Sequence, residues 1–340
     1  MQLLHLSHID LDGYSCQLVT SKVFENPIYL NANYGDEVLV RIDEAIEHIE
    51  NSTAERYLFL ITDLNLSHDE AAYVDKRIKE LREHKEVELL LFDHHASGLE
   101  TAETFGWYHL DVTKSATQIT FEHFVQRSAH LQDLAPFVKA VNAVDIWLSE
   151  DESFEMGKVL MRLVDEAKEI NRYMFPAANL TYKHFMLQKA LPYVQSSDHI
   201  GLDEAICHLK KSFFRHESND TFDNLLTSYI LKLLATHKEQ MTISFQGNKG
   251  LLTFGIQNTS IVGNAFLQAH PDYHFFMNVN PRGTFSLRAD NKMDVSQMAS
   301  IIAGGGGHPN ASGGKLKEFK EFFRYDQLKS FIEELLKDKE

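Results

Sequence analysis

The first 150 residues alternate between continuous apolar segments and segments whose apolar positions recur at helical spacing. The apolar segments are LLHLSHI, IYLNANY, RYLFLIT and VELLLF, and each is followed by an amphipathic stretch. Strands that are apolar at nearly every position are typical of a parallel sheet covered on both faces. The pattern therefore predicts an α/β domain whose parallel sheet has helices on both faces, with a ligand site beyond the carboxyl ends of the strands.

The pattern changes twice further along the chain. Residues 115–240 are helical in character, whereas MTISFQ-GNKG-LLTFGI and YHFFMNV-NPRG-TFSLRAD predict two hairpins after residue 240. IVGNAFLQAH, DVSQMASIIA and YDQLKSFIEELLKD predict helices. We expect a catalytic domain over 1–150, a helical insertion and linker over 151–240, and a smaller α+β domain over 241–340.

Charge and cysteine content narrow the functional classes. The formal net charge is −16, from 33 Lys and Arg against 49 Asp and Glu, which argues against coating a long nucleic-acid lattice. Cys16 and Cys207 are the only cysteines, so a disulfide framework is not expected. With no apolar run of membrane-spanning length and no signal-peptide pattern, we expect a cytoplasmic protein without a membrane partner. The sequence leaves a homo-oligomer open.

Metal-binding residue types follow the predicted strands. SHIDLDG carries His8, Asp10 and Asp12 at every second position, and in an extended segment these side chains share one face. Other segments end in the same residue types: Asp63 after LFLIT, Asp93, His94 and His95 after LLLF, and Asp145 after VNAV.

Converging carboxylates raise one another's pKa values unless cations compensate their charge. Two divalent ions carry four positive charges, which would offset Asp10, Asp12, Asp63 and Asp145. Oxygen and imidazole ligands without thiolate favour Mn²⁺ or Mg²⁺ over structural zinc. The residues therefore predict a two-metal hydrolytic site acting on a phosphoryl group.

The motifs SHIDLDG, LITD, FDHH and AVD resemble the four motifs of the DHH phosphoesterases. GGGGHPNASGG resembles the signature of their C-terminal DHHA1 domain, so the resemblance covers both ends of the chain and leaves 150–240 without a motif. It implies an N-terminal DHH domain and a C-terminal DHHA1 domain that binds substrate. Within the family, the start of the chain and its size are most similar to bacterial oligoribonucleases that degrade nanoRNA.

The resemblance also implies a role for each motif residue. One manganese would be held by His8, Asp10 and Asp63, and the other by Asp12, Asp63, His94 and Asp145, with Asp63 bridging. Asp93 would orient an imidazole, which ligating histidines commonly require, and His95 would lie near the phosphate or the leaving oxygen. Asp63, Asp93 and His95 form the expected catalytic set.

The glycine run from Ala303 to Gly314 suits close approach of backbone N–H groups to an anion. It is not a Walker loop, because no Ser or Thr follows Lys315. In TFSLRAD, alternation turns Phe285, Leu287 and Ala289 toward the core, leaving Ser286 and Arg288 outward. Arg288 is suited to a bidentate grip on phosphate. Together with the family likeness, this gives the expected substrate-binding residues: Asn264, Arg288, Gly305, Gly306, Gly307 and His308.

The leading expectation is a manganese-dependent phosphodiesterase that degrades short oligoribonucleotides to nucleoside 5′-monophosphates. Alternatives within the enzyme class are a phosphoadenosine phosphate phosphatase and a phosphodiesterase of cyclic or linear dinucleotides. A non-catalytic nucleotide sensor is the alternative from another class, and it predicts at least one missing metal ligand. A family II pyrophosphatase is disfavoured by GGGGH and SLR, and a single-strand DNA exonuclease by the short, acidic chain.

Overall fold

The computed structural model describes residues 1–215 and 219–339. The chain divides into two compact units, one formed by 1–167 with 183–209 and the other by 168–182 with the residues from 210 onward. The domain limits expected at 150 and 240 stay a prediction. Within the described ranges, no helix combines the length and the apolar character needed to cross a membrane.

The first unit contains a five-stranded parallel sheet in the order β2-β1-β3-β4-β5. Its strands are β1 (Gln2–His8), β2 (Ile28–Ala32), β3 (Arg56–Thr62), β4 (Glu86–Asp93) and β5 (Tyr108–Leu110). The helices between them are α1 (Leu11–Thr20), α2 (Asp36–Asn51), α3 (His68–Leu81) and α4 (Leu99–Thr104). The helices after the sheet are α5 (Ala116–Phe124), α6 (Ala135–Asp145), α7 (Phe154–Glu166), α8 (Pro176–Gln195) and α9 (His199–Phe214), the last two of which continue into the second unit.

The two central strands, β1 and β3, are buried on both faces, as their continuous apolar pattern predicts. On one face, Leu4 and Leu6 of β1 join Phe59 and Ile61 of β3 in a core that includes the apolar sides of α2 and α3. Helix α1 covers the opposite face, where its Thr20 hydrogen-bonds to the β1 residue His5. The predicted α/β class with helices on both faces is confirmed.

The face under α1 is unusually polar. His5 hydrogen-bonds to Thr20 Oγ1 through Nδ1 at 3.0 Å and to Thr62 Oγ1 through Nε2 at 2.8 Å. Ser7 Oγ lies 2.6 Å from Thr62 Oγ1 and donates to the Gly13 carbonyl at 2.8 Å. Burial, followed by the nearby His184, lowers the pKa of His5 to about 3, so the ring stays neutral. This network fixes the ends of β1 and β3 relative to α1.

The strand order determines where the site forms. From β1 the chain moves to β2 on one side of the sheet and then to β3 on the other side of β1. In open parallel sheets, ligands bind outside the carboxyl ends of the strands at such a reversal. His8 is the last residue of β1, and Asp63 directly follows β3.

The extended geometry expected for His8, Asp10 and Asp12 is wrong. β1 ends at His8, and Asp10 is the N-cap of α1, where its side chain accepts the Gly13 N–H at 3.0 Å. Asp12 lies in the first turn of the helix. An aspartate that caps orphan N–H groups favours a helix start, and here it overrides the alternating pattern. By contrast, the predicted N-cap of α3, Ser67, is confirmed and forms a capping box with Glu70.

The second unit contains a six-stranded sheet in the order β10-β11-β9-β8-β7-β6, antiparallel except between β7 and β8. Its strands are β6 (Thr242–Phe245), β7 (Asn248–Phe254), β8 (Phe275–Val279), β9 (Thr284–Ala289), β10 (Gly306–His308) and β11 (Ala311–Lys315). Its helices are α10 (Phe222–Met241), α11 (Thr259–Ala269), α12 (Val295–Ala303) and α13 (Tyr325–Lys337).

Both predicted hairpins are present, but the turn of the first includes only the first residue of the GNKG segment. Gln246 and Gly247 form a two-residue connection with φ of 48° and 74°, the positive values that tight hairpin turns require. Gly250 lies within β7, where a Cβ atom would stand 2.2 Å from the ring of Phe275. This glycine is therefore needed for packing rather than for a turn.

The contact between α1 and β1 can be tested at Gly13. A Cβ atom there would lie 2.3 Å from the carbonyl oxygen of His8. Although alanine is the better helix former, Gly13→Ala should lower the free energy of unfolding by about 2 kcal/mol because the backbone must shift. Gly106→Ala is the matched control, since nothing lies within 4 Å of its Cβ position. Urea unfolding that ranks the two variants equally would contradict the close packing.

Candidate metal centre and active site

The first cluster joins the ends of β1, β3 and the N-terminus of α1. Nδ1 of His8 lies 2.9 Å from Oδ2 of Asp10 and 3.5 Å from Oδ2 of Asp63. Two neighbouring side chains near the N-terminus and one from the end of β3 thus direct nitrogen and oxygen atoms at one point. A ligand atom from each lies within 4.8 Å of the others, which is close enough to share a metal ion.

The second cluster forms around His94, directly after β4. Its Nε2 lies 3.4 Å from Oδ2 of Asp145, the last residue of α6, and 3.9 Å from Oδ2 of Asp12. The same nitrogen lies 3.5 Å from Oδ1 of Asp63. Asp63 therefore presents one carboxylate oxygen to His8 and the other to His94, which places it between the two clusters.

The backbone at Asp63 has an uncommon conformation. Its φ of 56° lies in the left-handed region, where Asp and Asn are tolerated better than most other residues with a side chain. Its N–H donates to the Phe92 carbonyl at 3.0 Å, which holds the residue against the end of β4. The turn out of β3 thus directs the Asp63 side chain, which is only 2% exposed, into the site.

The donor set fits divalent cations. Nδ1 of His8, Oδ2 of Asp63 and Oδ2 of Asp145 are buried, and within the described part of the chain none of them makes a hydrogen bond of good geometry, although each lies within 3.5 Å of another atom of its cluster. Buried polar atoms are rarely left without a partner, and each such group needs an explanation. Atoms with lone pairs that converge on shared points are explained by metal ions, which His8, Asp10 and Asp63 would hold on one side and Asp12, His94 and Asp145 on the other.

The electrostatics of the clusters show an excess of negative charge. Burial, followed by Asp10 and Asp12, raises the pKa of Asp63 well above its usual value. Burial and then Asp12 raise the pKa of Asp145 to about 9. Burial disfavours the charged form of His8, yet Asp10 and Asp63 outweigh it and raise the pKa of His8 to about 10. The site thus favours bound positive charge.

Besides its place in the second cluster, Asp12 has a structural role. Its two carboxylate oxygens accept the N–H groups of Ala116 at 2.7 Å and Thr117 at 2.9 Å, at the start of α5. The hydroxyl of Thr117 also donates to the Asp12 carbonyl at 2.8 Å. A carboxylate has further lone pairs beyond these two bonds, so metal binding is still feasible. Asp12 therefore links the site to the N-terminus of α5.

Asp93 orients His95 rather than His94. Its Oδ1 lies 2.7 Å from Nδ1 of His95, and its Oδ2 accepts the hydroxyl of Tyr108 at 2.7 Å. The hydrogen bond that His95 donates to Asp93, opposed by partial burial, raises the pKa of His95. On the other side of the ring, Nε2 of His95 lies 3.0 Å from the hydroxyl of Tyr34.

Three residues at this site had not been predicted. Asn33 and Tyr34 follow β2 and contact His8 and His95 respectively, and Tyr108 lies in β5, a strand that the sequence pattern did not indicate. The available signal for the first two was the polar NANY segment at the carboxyl end of a predicted strand. Tyr108 had no comparable signal, because β5 is only three residues long.

The expected substrate-binding residues all lie in the second unit. Arg288 donates to the Leu287 carbonyl at 2.7 Å and to Ser260 Oγ at 2.6 Å, while the exposed Asn264 donates to the Ser260 carbonyl at 2.8 Å. Ala311 pairs with His308 on one side and with Arg288 on the other. Directly paired residues share a face of the sheet, so the exposed His308 and the half-buried Arg288 lie on the same face.

The glycines of this region have a structural role of their own. A Cβ at Gly305 would lie 2.3 Å from the Gly313 carbonyl oxygen, and one at Gly307 would lie 2.6 Å from that of Ala311. Nothing lies within 4 Å of the Cβ position of Gly306. The run therefore forms the tight β10–β11 hairpin, and only Gly306 among these three has open space around it.

Comparison with known proteins identifies the family. A 3′,5′-cyclic-nucleotide phosphodiesterase of Helicobacter pylori (strain ATCC 700392 / 26695) is 40% identical over 343 residues, which cover 98% of this chain and 99% of the relative. The chain belongs to the DHH phosphoesterase family. It is a phosphodiesterase hydrolase of that family, so the expectation of an enzyme is confirmed and the non-catalytic sensor is set aside.

Two further matches extend over nearly the whole of this chain. The oligoribonuclease NrnB of Bacillus subtilis (strain 168) is 22% identical over 342 residues, 96% of this chain and 78% of the relative. The crystal structure of an uncharacterized protein from Helicobacter pylori G27 superposes with a TM-score of 0.91 at 39% identity, covering 99% of each chain. No family model matches the sequence.

The Asp93 hydrogen bonds give a prediction about stability. Tyr108→Phe removes the donor to a buried carboxylate oxygen, and should lower the free energy of unfolding by about 1–3 kcal/mol. Tyr57→Phe is the matched control, because the Tyr57 hydroxyl is buried without a partner in the described chain and its removal should be neutral or stabilising. Equal losses in urea unfolding would show that Tyr108 does not support Asp93.

Proposed function

We propose that this DHH phosphodiesterase hydrolyses the 3′,5′-phosphodiester bond of small nucleotides with two Mn²⁺ ions, and that 3′,5′-cyclic nucleotides are its main substrates. The observation that carries the proposal is the 40% identity to a 3′,5′-cyclic-nucleotide phosphodiesterase over 98% of the chain. The convergence of buried nitrogen and oxygen atoms of His8, Asp63 and Asp145 with those of neighbouring carboxylates and His94 supports the metal requirement.

Short oligoribonucleotides are the second candidate substrate. The likeness to NrnB, which extends over 96% of this chain, favours them. A short RNA and a 3′,5′-cyclic nucleotide share a phosphodiester that joins a ribose 3′-oxygen to a 5′-oxygen. The same hydrolytic chemistry therefore serves both, and the difference lies in how the rest of the nucleotide is bound.

Divalent cations bound here would lower the pKa of a water molecule and neutralise charge on the phosphoryl group. His8 and Asp10 would hold one side of the centre and His94 with Asp145 the other, while Asp63 would connect the two sides. Asp12 contributes a carboxylate that α5 already holds in place. Fixed ligands of this kind need no rearrangement when charge develops during the reaction.

His95 is the proposed proton-transfer residue. Asp93 accepts a hydrogen bond from Nδ1 of its ring, which leaves Nε2 as the atom that faces a reacting oxygen. Tyr34 contacts that nitrogen, so the hydroxyl of Tyr34 must give way to substrate for His95 to act. In the second unit, Arg288 and His308 are proposed to bind phosphate, because both lie on one face of the sheet beside a hairpin of glycines.

The proposal is tested with a substrate panel. Purified protein is incubated with 3′,5′-cyclic AMP and GMP, di- to pentaribonucleotides, phosphoadenosine phosphate and cyclic dinucleotides, in Mn²⁺ and in excess chelator. We expect release of 5′-monophosphates from the cyclic mononucleotides with the highest kcat/KM, lost with chelator and restored by Mn²⁺. A preference for short RNA would favour the second candidate, and full activity in chelator would overturn the metal mechanism.

Asp63 should be the most sensitive metal ligand. Asp63→Asn suits the left-handed backbone and so preserves the fold, but it removes the carboxylate shared by both clusters. We expect kcat to fall by about three orders of magnitude, since several kcal/mol of charge stabilisation is lost. His308→Ala should reduce kcat less, and the Mn²⁺-induced rise in Tm should shrink only in Asp63→Asn. Similar residual rates in both variants would contradict the shared role.

A further inference from the structure

The segment that follows β2 contacts the His8 imidazole through Asn33. Nε2 of His8 lies 3.3 Å from Oδ1 of Asn33. His8 faces the carboxylates of Asp10 and Asp63 through its other nitrogen, Nδ1. The two nitrogens of one ring therefore have separate tasks, and the proton carried by Nε2 decides whether Nδ1 can act as a ligand.

The orientation of the Asn33 amide is fixed by the backbone. The N–H of Tyr34 donates to Oδ1 of Asn33 at 3.0 Å. Because a backbone N–H can only donate, the atom that it meets must be the amide oxygen rather than the amide nitrogen. The same oxygen faces Nε2 of His8, and since it can only accept, Nε2 must carry a hydrogen.

The position of Asn33 is itself held from α2. Its N–H donates to Oε2 of Glu37 at 2.9 Å, and Glu37 is fully buried and lies 3.5 Å from the Arg41 guanidinium. The ring of Tyr34 packs against that of His8 with centroids 4.2 Å apart. The segment thus restrains both the tilt of the His8 ring and the hydrogen on its Nε2.

We propose that Asn33 is a positioning residue that selects the His8 tautomer with hydrogen on Nε2, so that the Nδ1 lone pair is directed at the metal ion between Asp10 and Asp63. This inference rests on the proposed metal-dependent function. Partners that orient a ligating imidazole commonly change metal affinity by about 10- to 100-fold when they are removed. Asn33 touches neither substrate nor the reacting atoms in this role, and it acts only through His8.

The test measures Mn²⁺ binding directly, by electron paramagnetic resonance of the free ion during titration of metal-free protein. Asn33→Ala should weaken one of the two Mn²⁺ sites by about tenfold. Asn33→Asp keeps an acceptor oxygen opposite Nε2 and should bind Mn²⁺ at least as tightly as the wild type. Wild-type affinity in Asn33→Ala, or a tenfold loss in Asn33→Asp, would overturn the proposal.

Asn31→Ala is the matched control. Asn31 lies on β2 two residues earlier, and its amide donates to the His8 carbonyl at 3.2 Å rather than to the ring. Its loss should lower Tm without a comparable change in Mn²⁺ affinity. If Asn31→Ala weakens binding as much as Asn33→Ala, general loosening of β1 and β2 explains the effect and the positioning role is wrong.

A second readout does not depend on affinity. In the Mg²⁺-loaded protein, two-bond ¹H–¹⁵N spectra of histidine-labelled samples distinguish hydrogen on Nε2 from hydrogen on Nδ1. We expect the Nε2–H form for His8, assigned by its loss in His8→Gln, and a mixture of forms in Asn33→Ala at a Mg²⁺ concentration that saturates the wild type but leaves the weakened site of the variant partly empty. An Nδ1–H form in the wild type would overturn the inference. Failure of the wild type to bind any Mn²⁺ would instead refute the proposed function.

Discussion

Uncompensated negative charge at the carboxyl edge of the parallel sheet is the constraint on which the rest of the first unit depends. Asp12 and Asp63 are almost fully buried, and Asp10 and Asp145 lie beside them. Several carboxylates in so small a volume repel one another unless positive charge is bound. The fold must therefore hold these side chains against a force that would separate them.

Hydrogen bonds and close packing between the central strands, α1 and α5 hold these side chains in place. The His5, Ser7 and Thr62 network ties the central strands to α1, and the close approach of Gly13 to His8 fixes where that helix begins. Asp12 ties α5 to the same point through backbone N–H groups. Polar interior contacts of this kind contribute little net stability individually, but together they determine a single arrangement of the clustered histidine and aspartate side chains.

Much of this was predictable because two signals are local. Continuous apolar strands predict the parallel sheet, and polar residues that follow each strand identify its carboxyl edge, so His8, Asp63 and His94 could be expected to meet. Asp145, the last residue of helix α6, was expected there from the AVD motif of the family resemblance. The metal roles of these residues remain a prediction. The extended geometry of SHIDLDG failed because an N-cap at Asp10 competes with alternation over the same few residues.

Other features depend on distant contacts that no local pattern encodes. The preference of Asp93 for His95 requires Tyr108, which lies in a three-residue strand without an apolar run of its own. The role of Asn33 becomes apparent only in the structure, where the Tyr34 N–H and Nε2 of His8 both contact its amide oxygen. The glycine hairpin was singled out as an anion-binding segment, but the close backbone approaches within it appear only once β10 and β11 are paired.

The left-handed backbone at Asp63 limits how this position can change during evolution. A residue there must tolerate positive φ, which favours glycine, asparagine and aspartate. Among these, only aspartate carries a charge. If aspartate is replaced at this position, the backbone therefore tolerates glycine and asparagine best. Both replacements keep the fold, but both remove the carboxylate. Loss of hydrolysis in this lineage would then produce stable, inert proteins rather than unstable ones.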